Sequence, residues 1–296
     1  MIGIGCNNFG ARMDAEAVDA VVGTALDVGI NFFDTAAMYG RGASERLLGG
    51  ALGTRRDEVV IATKYGGDRV PGLQSTRDYV RSAAEASLGR LGTDRIDLYQ
   101  LHFPDLATPL ADTLGALAEL IEEGKVLEVG CSNFTPAMLE EADGVAAEAG
   151  TRFVSVQNHY NLLKRDDEAD VLPVCERLGI SYLPYFPLAN GLLTGKYRRG
   201  EEPPAGTRLA GNRDRGNQLL SDSNFDKVEA LGELAIEQGR TLLELSFAWL
   251  LSRPVLASVI AGATKPEQVE ANAAGAEWDL SEELLAEIDE ITSASS

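Results

Sequence analysis

Four side chains in this sequence could together move a proton: Asp34, Tyr39, Lys64 and His102. Each lies at or near the end of a predicted strand, or in the short turn that follows one. A lysine ammonium is disfavoured in a low-dielectric site unless a carboxylate pairs with it, which makes Asp34 the natural partner of Lys64. A paired Lys64 beside Tyr39 favours the phenolate and is expected to lower the tyrosine pKa from its usual value of about 10. Tyr39 could then donate a proton to a carbonyl oxygen near neutral pH, where general acids work best. His102 would orient that oxygen or relay the proton. Taken singly, Asp34 and Lys64 could be a structural salt bridge and His102 a core histidine satisfied by a hydrogen bond. The conjunction of acid, phenol, ammonium and imidazole is what points to chemistry.

The elements that must position these groups follow from the hydrophobic pattern. Strands are predicted over residues 2–5, 31–34, 59–64, 96–101, 126–131, 153–157, 181–185 and 257–260. Helices are predicted over 14–28, 44–52, 76–91, 109–123, 136–149, 167–178 (interrupted or restarted at Pro173), 225–238, 241–251, 266–274 and 281–291. Strands alternating with helices imply parallel pairing. Eight of them close most economically as an α/β (β/α)8 TIM barrel, which leaves no sheet edge. Chemistry in such barrels sits at the C-terminal ends of the strands. Asp34, Lys64, His102, Cys131-Ser132-Asn133, Gln157, Tyr185 and Gly262 all fall there.

The chain has 296 residues, 45% of them hydrophobic, which suits one barrel domain over 1–296 with a core large enough to need no metal or disulfide staple. The formal net charge of −20 repels nucleic acid and anionic membrane, so neither is an expected partner. Three widely spaced cysteines, Cys6, Cys131 and Cys175, fit a reducing, cytoplasmic setting and argue against a zinc knuckle. No stretch approaches the ~18 apolar residues of a membrane span, and the first residues do not read as a signal peptide.

Longer motifs carry a resemblance. Gly29-Ile-Asn-Phe-Phe-Asp34-Thr-Ala-Ala-Met-Tyr39-Gly-Arg-Gly-Ala-Ser-Glu45 opens a series continued by Ile61-Ala-Thr-Lys64, Asp97-Leu-Tyr-Gln-Leu-His102-Phe-Pro-Asp105, Gly124-Lys-Val126, Val129-Gly-Cys-Ser-Asn133 and Val156-Gln-Asn158. Gly191-Leu-Leu-Thr-Gly-Lys196 and Ile260-Ala-Gly-Ala-Thr-Lys265 complete it. In order and spacing, over nearly the whole chain, these motifs resemble the aldo-keto reductases. The resemblance implies NADPH-dependent reduction of an aldehyde or ketone, with Tyr39 as general acid, Lys64 and Asp34 tuning it, and His102 polarising the carbonyl.

The resemblance also places the cofactor, NADP(H), although the Gly-x-Gly-x-x-Gly turn of the common dinucleotide fold is absent. Ser132, Asn133 and Gln157 would hold the nicotinamide carboxamide and Tyr185 would stack on the ring. Leu192, Thr194, Gly195 and Lys196 would lie near the pyrophosphate. Gly262, Thr264 and Lys265 lead into a helix N-terminus, a setting that suits phosphate. Lys265 would neutralise the adenosine 2′-phosphate, and Gln268 and Asn272 match positions that touch the adenosine end. Ala271 departs from a glutamate frequent in the family, which weakens the expected hold on adenine. Residues 188–222 form the one long irregular segment, as expected of a functional loop. There Lys196, Arg198, Arg199, Arg208, Arg213 and Arg215 outnumber Glu201, Glu202, Asp214 and Asp222, so the segment is expected to attract an anion and close over the cofactor. His159 reads as a loop residue and Cys6 as a packing residue that could sit beside the cofactor.

Few residues precede the first strand, and from this a less closed barrel floor and lower stability than a longer chain are expected. Little follows the last helix, which implies an open pocket for broad or bulky substrates. Two rivals stay open: an NADPH-binding regulatory subunit with slow or no turnover, and a lyase forming a Schiff base on Lys64, which would need a neutral lysine. A monomer is plausible, and the sequence does not name the carbonyl substrate.

Overall fold

A computed structural model of the protein describes residues 1–210, 216 and 218–293. Eight parallel strands, β1 (Ile2–Gly5), β2 (Phe32–Asp34), β3 (Val60–Tyr65), β4 (Ile96–Leu101), β5 (Val126–Ser132), β6 (Ser155–His159), β7 (Ser181–Tyr185) and β8 (Val259–Gly262), run in the order β7-β6-β5-β4-β3-β2-β1-β8. The seam between β7 and β8 is bridged at Tyr182 and Leu256, where Tyr182 N donates to Val255 O at 2.9 Å and Ala257 N to Tyr182 O at 3.2 Å. The sheet therefore closes as the expected (β/α)8 barrel.

Outside the strands lie α1 (Ala15–Asp27), α2 (Ala43–Leu52), α3 (Arg77–Leu91), α4 (Leu110–Glu122), α5 (Pro136–Ala149), α6 (Val171–Leu178), α7 (Asp222–Glu237), α8 (Leu242–Leu251), α9 (Pro266–Ala274) and α10 (Glu282–Ser293). Helix α1 begins where Asp14 accepts a hydrogen bond from Ala17 N, and it buries Val18, Val21, Val22 and Ala25 on one stripe. Helix α8 opens on a reciprocal capping box between Thr241 and Glu244. Pro173 falls in the first turn of α6, where its missing N–H costs nothing, so the helix starts around it rather than breaking at it.

The barrel interior is built in layers. Phe32, Ala62, Leu98, Leu183 and Ile260 form a separate apolar cluster inside the sheet. Side chains alternate along a strand, so the residue two positions on from each shares its face. Those residues are Asp34, Lys64, Gln100, Tyr185 and Gly262. One apolar layer thus carries a polar layer at the C-terminal mouth. Glycines make room for the wider neighbours: a Cβ on Gly3 would stand 2.5 Å from the Phe32 ring.

Candidate active site

The polar layer is organised around Asp34. Its Oδ2 pairs with Lys64 Nζ at 2.5 Å, with both side chains almost wholly buried. Its Oδ1 accepts from Gln157 Nε2 at 2.9 Å and from Gln100 Nε2 at 3.2 Å. Lys64 Nζ also donates to Thr35 O at 3.0 Å and lies 5.2 Å from the centre of the Tyr39 ring. Burial alone would lower the Lys64 pKa, but the charges of Asp34 and Tyr39 more than offset it and hold it above its usual value. The lysine is an ammonium, so the neutral nucleophile a Schiff base requires is not what this site provides.

Tyr39 starts a tight turn, Tyr39–Gly42, in which Gly40, Arg41 and Gly42 all take left-handed backbone angles. That turn aims the phenol back at Lys64. The expected lowering of its pKa is not met: burial pushes it up, and the charge and hydrogen bond of Lys64 recover only part of the shift. Tyr39 therefore carries its proton at neutral pH, with an ammonium beside it to stabilise the phenolate left by proton transfer. Its ring meets His102 edge-on at 5.9 Å. Burial, followed by the charges of Lys64 and Arg69, presses the His102 pKa down to about 3. A neutral imidazole can orient a substrate oxygen by a hydrogen bond but is a poor source of a proton. Its Nδ1 is buried and has no partner among the described residues.

The remaining expected residues divide by what they touch. Asn133 holds a left-handed backbone (φ 63°) at the end of β5. Its Nδ2 donates to His102 O at 2.9 Å and to Ser132 Oγ at 3.1 Å, while Tyr185 OH donates to its Oδ1 at 2.9 Å. Ser132 Oγ donates to Gln157 O at 2.7 Å. Ser132, Asn133, Gln157 and Tyr185 thus form one network with His102 and Asp34. Tyr185 also stacks on His159 at 5.3 Å. Cys6 is fully buried beside Asp34 and Lys64, and burial keeps its thiol protonated.

After β7, Ala189–Thr194 forms a kinked turn in which Ala189, Asn190 and Gly191 are left-handed. Leu192 is wholly buried in the outer core, so only its backbone can face a ligand. Thr194 Oγ1 donates to Gly191 O at 2.8 Å, and Gly195 is left-handed beside it. Lys196 has its pKa lowered by desolvation and by repulsion from Arg12 and Arg208. Arg12, which sequence reasoning passed over, reaches from the β1–α1 loop to donate to Gly206 O. Arg199 does not join this cluster. It pairs with Asp222, Asp226 and Glu229 at 3.4, 2.5 and 2.9 Å, so it is not the free cation expected in the loop. Arg213, Asp214 and Arg215 lie outside the described residues.

Beyond β8, Thr264 N and Oγ1 donate to Gln268 Oε1 at 2.8 and 3.2 Å, which shapes the entry to α9. Gly262 and Lys265 are exposed there, and Lys265 stands at the helix cap. Asn272 is buried with its Nδ2 unpartnered among the described residues, as is Oδ1 of Asn190. Orphaned amides and mutually repelling cations each suit a polar, phosphate-bearing molecule. Among the described residues no cluster could hold a metal ion, and no helix is long and apolar enough to cross a membrane. Gln100, also unforeseen, is an amide inside an otherwise apolar strand. Its sequence signal was its place between Leu98 and His102, at the spacing that shares a strand face.

Residues 1–293 match the model of the Aldo/keto reductase family. L-glyceraldehyde 3-phosphate reductase of Escherichia coli O157:H7 is 33% identical over 297 residues, covering 96% of this chain and 86% of the relative. A protein of Oryza sativa subsp. japonica named as a probable voltage-gated potassium channel subunit beta is 35% identical over 273 residues, covering 89% and 83%. The uncharacterized oxidoreductase YrpG of Bacillus subtilis (strain 168) is 35% identical over 308 residues, covering 97% and 90%.

Proposed function

Because this chain belongs to the aldo/keto reductase family, we propose that it reduces a small aldehyde or ketone to an alcohol with NADPH, Tyr39 donating the proton. The observation that carries this reading is the buried Lys64–Asp34 pair set against the Tyr39 phenol, with His102 edge-on to its ring. When bound, the cofactor would supply the hydride. The protein's own residues supply the rest. His102 holds the carbonyl oxygen within reach of Tyr39. The Tyr39 hydroxyl gives up its proton to that oxygen as charge builds there. Lys64 stabilises the resulting phenolate, and Asp34, fixed by Gln100 and Gln157, keeps Lys64 charged and in place. The proton thus moves from a group held above its normal pKa to an alkoxide that is more basic still.

Ser132, Asn133, Gln157 and Tyr185 would seat the nicotinamide. Gln157 would have to share its amide with Asp34, which couples cofactor seating to the acid–base pair. The backbone of Leu192 to Gly195, together with Lys196, would receive the pyrophosphate. Gly262, Thr264, Lys265, Gln268 and Asn272 would receive the adenosine end, with Lys265 selecting NADP over NAD. The relatives named as potassium channel beta subunits favour a second reading, in which the barrel binds NADPH and serves as a regulatory subunit. A complete acid–base group supports turnover over that alternative. An NADPH-oxidation screen over a carbonyl panel, run beside NADH, tests the proposal. Oxidation that depends on the carbonyl and favours NADPH is expected. NADPH binding without turnover on any carbonyl would leave the regulatory reading instead.

A further inference from the structure

A pocket of about 660 Å³ opens between the β3–α3 and β4–α4 loops, lined by Arg69, Pro71, Phe103, Pro104, Leu106 and Ala107 among others, and it adjoins the site through Phe103, which stacks on His102. Its wall is mostly apolar, the amides of Gln74 and Asn133 apart, and Leu106 (82% exposed), Leu73 and Val70 extend that character along the same two loops. Two charged residues line it. Asp105 is spent: its carboxylate accepts from Gly72 N at 2.9 Å, Ala107 N at 3.2 Å and Thr108 Oγ1 at 3.0 Å, which ties the two loops together. Arg69 is not spent. Among the described residues no carboxylate lies within salt-bridge distance of it. Its guanidinium lies over the Phe103 ring, 3.7 Å from the centroid, and that ring stacks on His102 at 4.6 Å. Its backbone is left-handed (φ 53°), an unfavourable setting for a side-chain-bearing residue outside glycine and asparagine. The cation is also near enough to His102 to depress its pKa.

We infer that Arg69 is a specificity-determining residue that selects carbonyl substrates bearing an anionic group, a carboxylate or a phosphate, on an apolar body. Phe103 presents one ring to both groups, so a substrate whose carbonyl meets His102 can place its anion at the guanidinium. The planar, forked donor set of arginine suits either anion in a two-point contact. An overall charge of −20 would otherwise repel such substrates. The Arg69 guanidinium in this pocket opposes that repulsion locally. This inference rests on the reductase reading for its chemistry, but anion recognition can be measured apart from it.

The turnover experiment compares kcat/KM for 4-carboxybenzaldehyde and for its neutral carboxamide, and for glyceraldehyde 3-phosphate and glyceraldehyde, in wild type, Arg69→Met and Arg69→Lys. The wild type should prefer the charged member of at least one pair. That preference should fall at least about tenfold in Arg69→Met, through KM, and be partly kept in Arg69→Lys, as the loss of one charge-assisted contact requires. The pair that shows the preference identifies the anion as carboxylate or phosphate. A charged-to-neutral ratio that is the same in wild type and Arg69→Met overturns the inference, as does the absence of any preference. A calorimetric arm uses ligands with nothing to reduce, 4-(hydroxymethyl)benzoate and 4-(hydroxymethyl)benzamide, on the NADPH-loaded protein. The benzoate should bind more tightly than the amide in wild type, by a smaller margin in Arg69→Lys and not at all in Arg69→Met. If no aldehyde is turned over, the reductase reading fails, and this binding difference alone upholds or overturns the role of Arg69.

Discussion

Tyr39 keeps its proton because burial outweighs the neighbouring ammonium, and it can release that proton because the ammonium remains. The pattern of Asp34, Tyr39, Lys64 and His102 was legible in the sequence, since each residue sits at a strand end or in the turn after one. The direction of the Tyr39 shift was not, because the sequence shows which charges are near but not how deeply a hydroxyl is desolvated. Gln100 escaped notice for a related reason: an amide within an apolar strand gains meaning only once its register with Asp34 is known. His102 carries a prediction of its own. Its folded pKa lies near 3 and its unfolded one near the usual 6.5, so between these values the unfolded chain holds the extra proton. The contribution to stability is complete above about pH 6.5 and declines as pH falls toward 3, by about 1.4 kcal/mol per unit. Urea unfolding at about pH 7 and about pH 5 should show this loss in wild type and a shallower one in His102→Asn. An equal loss in both would assign the acid sensitivity to the carboxylates.

Among the elements, α2 and α3 are joined by a contact the sequence motifs did not explain. Glu45 on α2 is fully buried, paired with Arg90 Nε of α3 at 2.5 Å and accepting from Thr63 Oγ1 of β3 at 2.6 Å. Thr63 points away from the barrel interior while its neighbour Lys64 points in, so this pair braces the strand that carries Lys64. Removing the cation leaves a buried charge without its partner. Arg90→Ala should therefore cost about 3 kcal/mol, read as a lower urea midpoint, whereas Arg90→Lys should recover part of it. A change below about 0.5 kcal/mol would mean the pair is a surface contact in effect. The elements themselves were readable from periodicity and caps. Strand ends drifted by a residue or two where tertiary pairing sets the limit: β6 extends to His159, and β8 runs Val259–Gly262 rather than ending at residue 260. The cation cluster was only half legible, because Arg12 joins Lys196 and Arg208 through the fold and not through sequence proximity.

At the scale of the whole molecule, a strongly acidic protein gathers positive charge at one rim, where Arg12 and Arg208 both stand near enough to Lys196 to repel it. If that rim receives the cofactor phosphates, NADPH affinity should fall as ionic strength rises from about 0.05 M to about 0.5 M, because exposed charges are then screened. Lys196→Ala should weaken NADPH binding about tenfold and flatten the salt dependence, measured by cofactor fluorescence. An unchanged dissociation constant would remove Lys196 from the cofactor site. In the proposed reaction a hydride and the Tyr39 proton meet on one carbonyl. The most direct test follows deuterium from NADPH labelled at the reactive nicotinamide carbon into the alcohol product by mass spectrometry, in wild type and in Tyr39→Phe with NADPH bound to both. Label is expected on the former carbonyl carbon in wild type, with a transfer rate lower by about a hundredfold or more in the variant. Transfer at the same rate in both, or no label in the product of any carbonyl, would contradict the proposed reaction.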